Sequence, residues 1–256
     1  MTLELLIVPC LADNYAYLLH DAGSDTTAVV DVPEAAPVQQ LLAERGWRLD
    51  TIVLTHHHSD HIAGVPALAA ATGAAVIGAE ADAHRLPPLT RAVHPGQVIE
   101  VAGHRTEILD AAGHTLGHIA FHMPRAGLLF SGDSLMSWGC GRLFEGSPAQ
   151  MLATLTRMAA LPGDTLICSG HEYTEANGRF ALSLEPEAPA LRARMAEVKA
   201  LRAEGRPTVP ARLDLELATN PFLRGADPAL KRALGLPPEA SALDTFTEAR
   251  ARKDRF

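Results

Sequence analysis

Aromatic side chains are scarce in this chain: Phe, Trp and Tyr supply 5% of its 256 residues, whereas the hydrophobic types together make up 47%. An aliphatic core is therefore expected, large enough for one good-sized domain with or without a smaller appendage, and disorder is excluded. Cysteine is rarer still. Cys10, Cys140 and Cys168 are odd in number and form no CxxC spacing, which argues against a disulfide framework and fits a reducing compartment. No apolar run approaches the eighteen or so residues of a membrane span, and MTLELLIVPCLADNY lacks both a basic n-region and a small-residue cleavage site. An unexported, cytoplasmic protein with no membrane partner is expected. Lys and Arg number 22 against 30 Asp and Glu, a net charge of −8. Binding to a phosphate backbone draws on many cations, so nucleic acid is not an expected partner. A GxSxG elbow is absent as well, and Cys140 has no neighbouring His, so the sequence announces no serine or cysteine nucleophile.

What is present is a succession of short apolar runs punctuated by Gly, Pro and Asp. Residues 3–8, 15–19, 28–32, 51–55, 74–78, 97–101, 105–109, 119–123, 127–131 and 165–169 read as strands; 35–45, 62–72 and 148–160 carry helical spacing. Strands partly in hairpin succession and partly alternating with helices predict two layered sheets with helices outside, not one doubly wound sheet. Beyond HEYT no strand is expected: 174–184, 188–204 and about 238–252 read as helices joined by Pro-containing loops. The expected division is therefore a β-rich domain over 1–173 and a small helical one over 174–256.

The densest chemistry lies in Thr55-His56-His57-His58-Ser59-Asp60-His61, after the apolar run TIVL and before a helix. Imidazole nitrogen and carboxylate oxygen suit zinc and its first-row neighbours, and a loop leaving a strand can curl its side chains toward one point. His56 and His58, two apart, share a face. Asp60 and His61 begin the next helix and do not easily reach the same ion, so the spacing favours two adjacent metal positions. Further donors stand beside glycines after later strands: His114 in AAGHTLGH, Asp133 in FSGDS and His171 in CSGHEYT. A single isolated histidine is more often a satisfied polar residue than a ligand. Seven donors in this arrangement reverse that reading. His57 is expected to point elsewhere, and His118 and Cys140 are assigned no role.

The HxHxDH cluster with its downstream His, Asp and His resembles the signature of the metallo-β-lactamase superfamily. That resemblance implies an α+β fold, a four-layer αββα sandwich with a small C-terminal all-helical domain. It implies two divalent metal ions, zinc first with iron or manganese accepted by the same donors. His56, His58 and His114 match the ligands of one metal, Asp60, His61 and His171 those of the other, and Asp133 the bridging carboxylate; Asp60 and Asp133 are the expected catalytic carboxylates. Within the superfamily, PCLADNYAYLL, THHHSDHIAG, GHTLGH, GDSLMSWGCGRLFEG, SGHEYT, ATNPFLR and the terminal RARKD resemble glyoxalase II (hydroxyacylglutathione hydrolase) from end to end. This narrower match implies hydrolysis of a glutathione thioester, typically S-D-lactoylglutathione, to glutathione and D-lactate; a monomer is expected, although the sequence itself leaves the oligomeric state open. Arg142, Tyr173, Arg250 and Lys253 match the positions that contact glutathione, where cations would pair with its carboxylates. The chain departs from the family pattern at Ser59, at Arg142 where Lys is frequent, and at Phe144 where Tyr is frequent. The missing hydroxyl corresponds to one neutral hydrogen bond, about 0.5–1.5 kcal/mol. A persulfide dioxygenase would share the metal motifs but lack ATNPFLR and RxxKD. A lactonase or β-lactamase would not need cations in a helical domain, and a non-catalytic scaffold would be expected to have lost ligands.

Overall fold

The computed structural model describes residues 3–256. The chain divides into two compact units, one formed by the described residues up to Ala111 together with Gly117–Gly132, the other by Ala112–Leu116 and Asp133–Phe256.

In the first unit, β1 (Leu3–Cys10), β2 (Asn14–Asp21) and β3 (Thr26–Val30) run antiparallel. After helix α1 (Ala35–Arg45), β4 (Thr51–Val53) joins parallel to β3. The short α2 (Ser59–Ile62) and α3 (Val65–Thr72) lead to β5 (Ala75–Ala79) and β6 (Arg91–Val93), also parallel. This mixed six-stranded sheet is covered on one face by α1 and α3: Ala16, Leu18, Val29 and Ile52 pack with Val38, Leu42, Val65 and Leu68. Strand β2 is buried at every position, so its sequence shows no alternation of apolar and polar residues. The other face looks onto an antiparallel meander of β7 (Val98–Val101), β8 (His104–Asp110), β9 (Ile119–Met123) and β10 (Leu128–Gly132). Tyr17 of β2 meets Phe130 of β10 edge-on at 5.6 Å, one of the few aromatic contacts in an otherwise aliphatic interior. The run expected as one helix over 62–72 is interrupted at Gly64, whose backbone N–H is given to the Val32 carbonyl at 2.9 Å rather than to its own helix.

The second unit contains the two-stranded ribbon β11 (Leu135–Met136) and β12 (Gly139–Cys140), helix α4 (Pro148–Ala159) and β13 (Leu166–Ser169). It continues with α5 (Thr174–Leu184), α6 (Pro189–Ala203), β14 (Ala211–Arg212), α7 (Leu213–Thr219), α8 (Pro228–Ala233) and α9 (Ala242–Arg255). Helices α4 and α9 open on capping boxes, Ser147 with Gln150 and Ser241 with Asp244, each of which satisfies backbone N–H groups at the first turn. The expectation of no strand beyond residue 173 is corrected by β14, which pairs antiparallel with β13 through Leu166–Arg212 and Ile167–Ala211. Two residues are too few to carry a periodic signal. The region is otherwise helical.

Candidate metal centre

Strand β4 ends at Val53; the following loop carries His56 and His58, and the one-turn helix α2 directly after it carries Asp60 and His61. Their orientation depends on Asp31, which follows β3 in a left-handed backbone conformation with φ 54°, a geometry that Asp tolerates better than most residues. The buried Asp31 carboxylate accepts from the Thr55 backbone N–H at 2.8 Å, from Thr55 Oγ1 at 2.8 Å and from His61 Nδ1 at 2.8 Å. Because the Thr55 hydroxyl spends its hydrogen on Asp31, its oxygen is left to accept from His56 Nδ1, 3.0 Å away. Both His56 and His61 therefore carry their proton on Nδ1 and present the Nε2 lone pair. His58 turns its Nδ1 toward His56 Nε2 at 3.1 Å. Asn14 Nδ2 donates to Asp60 Oδ2 at 3.2 Å and to its carbonyl at 3.0 Å, which aims this partly exposed carboxylate.

The second unit gathers His114, Asp133 and His171. Asp133 Oδ2 lies 3.5 Å from His114 Nε2 and 3.2 Å from His171 Nε2. His114 Nδ1 donates to the Arg142 carbonyl at 2.7 Å, so it too presents Nε2. Gly141 is required here: a Cβ would stand 2.0 Å from the Asp133 carbonyl and 2.9 Å from His114 Nδ1.

This donor set fits a metal. Two nitrogen or oxygen donors on one tetrahedral zinc, at bonds of about 2.0–2.1 Å, stand about 3.3–3.4 Å apart. The spacings of 3.1, 3.2 and 3.5 Å within the two units bracket that edge. Three of the imidazoles are fixed through the nitrogen opposite the donor, the arrangement that orients ligating histidines. The first unit thus offers His56, His58, Asp60 and His61 and the second His114, Asp133 and His171, nitrogen and carboxylate donors of the kinds a metal takes. These His/Asp clusters are consistent with a dimetal site.

His57 is directed instead to Asp82 Oδ2 at 3.1 Å, a carboxylate that also accepts from Arg85 Nε at 3.1 Å. His118 stacks on His56 at 4.6 Å and 14° while its Nδ1 meets the Ile119 carbonyl, so it supports the ring of a donor residue. Cys140 is buried and its thiol is pushed up to about 11, desolvation outweighing the nearby Arg250 cation, which leaves it an inert neutral group.

The four residues expected to bind substrate fall in the second unit. Tyr173 stacks on His171 at 4.5 Å with rings 5° from parallel, and is partly exposed. Arg142 is exposed, with Nε 3.9 Å from Asp254 Oδ1. Arg250 is buried; it donates to that same oxygen at 2.7 Å and to the Cys140 carbonyl at 2.9 Å. Lys253 is half-buried, donates to the Ala176 carbonyl at 3.3 Å and lies 5.5 Å from the Phe180 ring centroid. Asp254 is thus shared by two of three neighbouring cations. Sequence reasoning missed Asn14 and Asp31. Their one signal is a polar residue at the end of an apolar run, DNYAYLL and AVVD.

Residues 12–171 match the family model described as the metallo-beta-lactamase superfamily, and residues 172–256 that described as the hydroxyacylglutathione hydrolase C-terminus. Among solved structures, the BLEG-1 B3 metallo-beta-lactamase is similar with a TM-score of 0.66 at 19% identity, covering 87% of this chain and 99% of that one. ETHE1 from Myxococcus xanthus is similar at 0.64 and 24%, covering 99% and 100%. Identities this low speak for the fold alone, the metallo-β-lactamase fold of two mixed sheets with flanking helices. Sequence carries the relation further. The hydroxyacylglutathione hydrolase of Rhodobacter capsulatus is 65% identical over 256 residues and that of Ruegeria pomeroyi 58%, each covering 100% of both chains. With both family models matched in tandem and these relatives aligned over their whole length, the chain belongs to the hydroxyacylglutathione hydrolase (glyoxalase II) family of the metallo-β-lactamase superfamily.

Proposed function

We propose that this protein hydrolyses S-(2-hydroxyacyl)glutathione, S-D-lactoylglutathione above all, to glutathione and the 2-hydroxy acid, the second step of glutathione-dependent methylglyoxal detoxification. The observation that carries this reading is the position of Arg142. Its carbonyl fixes the donor His114, while its guanidinium stands with Arg250 and Lys253 around Asp254. Metal donors and a cluster of cations suited to a dicarboxylate tripeptide are thereby held on one short piece of chain.

His56, His58 and His114 would hold one ion and Asp60, His61 and His171 the other, with Asp133 shared. Zinc is the ion we propose, since nitrogen and carboxylate donors at tetrahedral spacing suit it, and iron or manganese accept the same set. When bound, the two ions supply an acidified water and polarise the thioester carbonyl. The chain's own contribution is orientation. Asp31 and Thr55 hold His56 and His61, and Asn14 holds Asp60, whose exposed carboxylate aims the attacking water. Tyr173, packed flat on His171, and the cations Arg142, Arg250 and Lys253 orient the glutathione moiety. The glutathione thiolate, a soft anion of modest basicity, would leave with little help from a protein acid.

Residues 1–173 then act as the catalytic domain and 174–256 as the glutathione-binding one, in a monomeric, cytoplasmic enzyme. Among the described residues no helix is long and apolar enough to cross a membrane. The test is substrate choice. S-D-lactoylglutathione is expected to exceed the same lactoyl thioester on N-acetylcysteamine by at least about 100-fold in kcat/KM, two charged contacts being worth about 3 kcal/mol. Equal turnover of the two would refute recognition of glutathione.

A further inference from the structure

The ribbon β11–β12 is bracketed by the metal centre. Asp133 lies two residues before Leu135, and Gly141 and Arg142 directly follow Cys140, so the base of this hairpin carries one donor and the carbonyl that fixes another, His114. Its tip is Ser137-Trp138, and Trp138 is held at φ 60°, a left-handed conformation that a bulky residue adopts only when its surroundings impose it.

The surroundings are a polar network from the C-terminal helices. Glu216 of α7 accepts from the Trp138 backbone N–H at 2.7 Å and forms a fully buried ion pair with Arg194 of α6. The Arg194 guanidinium also lies over the Trp138 ring, 4.6 Å from its centroid. Asn220, buried after α7 and hydrogen-bonded to the same Glu216 carboxylate, donates to the Gly139 carbonyl at 3.0 Å and the Met136 carbonyl at 3.3 Å. Asn177 of α5 donates to the Ser137 carbonyl at 3.1 Å. There is no slack: a Cβ on Gly139 would stand 2.5 Å from Asn177 Nδ2, and one on Gly178 would stand 2.5 Å from the Trp138 ring.

We propose that Asn220 and the Glu216–Arg194 pair are positioning residues for the metal centre. They clamp the tip of the hairpin from the helical side and thereby fix Asp133 and the His114–Arg142 contact at its base. The helices after residue 173 then have a second task besides meeting glutathione. This inference rests on the dimetal reading of the seven donors, but not on the identity of the thioester.

The test uses the zinc-loaded full-length protein and a chromogenic chelator that reports zinc release, at a temperature where every variant is folded by circular dichroism. Asn220→Ala is the principal variant and Asn177→Ala the second, should the first not fold. Glu185→Gln is the control. It breaks the Arg224–Glu185 pair in the same helical region without touching the hairpin. Asn220→Ala is expected to release zinc about 10-fold faster than wild type, the low end for loss of an outer partner of a ligand. The control, lowered in Tm by as much or more, should release zinc as wild type does. With S-D-lactoylglutathione, kcat should fall while KM stays within about two-fold, since the loss acts on the reacting centre. Zinc release unchanged in the hairpin variants, or equal to that of the control, would overturn the inference. A protein that never binds zinc would instead refute the dimetal reading itself, and one that binds zinc but ignores the thioester would leave the zinc-release result to decide on its own.

Discussion

The two sets of proposed metal donors are built in opposite ways. His56, His58, Asp60 and His61 lie within six consecutive residues, a loop and the start of α2, whereas His114, Asp133 and His171 are spread over 58 positions, counting from 114 to 171. In the contiguous set the chain itself brings the donors together, and one buried carboxylate, Asp31, together with Asn14, aims them. In the dispersed set three separate segments have to be brought into register by tertiary structure: the Arg142 carbonyl on His114, the close packing at Gly141, and a hairpin clamped at its tip. The comparison teaches that a compact motif needs little scaffold and a scattered one needs much. Mutations far from the metal should therefore tell chiefly on the second set.

The largest effect is expected from a donor of the scattered set. Asp133→Ala should lower kcat/KM by about 10³-fold or more and reduce the zinc content measured by plasma emission, because the shared carboxylate contacts both ions in the proposed assignment. Retention of full metal content and rate would remove Asp133 from the centre. Next comes the support of the contiguous set. Asp31→Ala frees Thr55 and His61 together and should weaken zinc binding by 10- to 100-fold in chelator competition. An unchanged affinity would mean that the loop orients its donors without Asp31, and would sharpen the contrast between the sets.

A smaller effect is expected from the cation cluster. Burial, reinforced by Arg250, Arg179 and Arg142 and opposed by Asp254, pushes the Lys253 ammonium from its ordinary 10.5 down to about 8. Above pH 8 the neutral amine no longer attracts a carboxylate, so kcat/KM for the glutathione thioester should fall there, and Lys253→Met should flatten that limb. The same shift acts on stability. Between about 8 and 10.5 the unfolded chain holds more protons than the folded one, so this lysine makes stability rise with pH across that window. Urea midpoints at either end should therefore differ less in Lys253→Met than in wild type. The smallest change is Phe144→Tyr. Phe144 is exposed and meets the His114 ring edge-on at 5.2 Å. One added hydroxyl should lower KM by about 2- to 10-fold, the equivalent of about 0.5–1.5 kcal/mol. A KM that does not move would show that this side chain does not reach the substrate.

Much of this was legible in the sequence for physical reasons that differ by element. Strands such as β9 and β10 stand out as short apolar runs bounded by Gly and Pro, and helices such as α4 and α5 are long enough to carry a period. The ribbon β11–β12 and the two-residue β14 carry none, and only their partners make them strands. The HxHxDH cluster was legible because four donors in so short a stretch are rarely structural. Asp31 was not: it reads as the polar end of a strand until folding brings Thr55, 24 residues on, and His61, 30 residues on, onto its carboxylate. Arg250 shows the same limit in reverse: the terminal RARKD implies a cation that meets glutathione, yet nothing in the sequence tells that this guanidinium is buried against the Cys140 carbonyl.

The most direct test of the account is to purify the protein, measure its bound metal, and follow thiol release from S-D-lactoylglutathione before chelation, after chelation, and after zinc is restored. Two metal equivalents per chain are expected, with activity lost with the metal and recovered as zinc returns. Turnover that persists in metal-free protein, or metal-loaded protein that leaves the thioester intact, would contradict it.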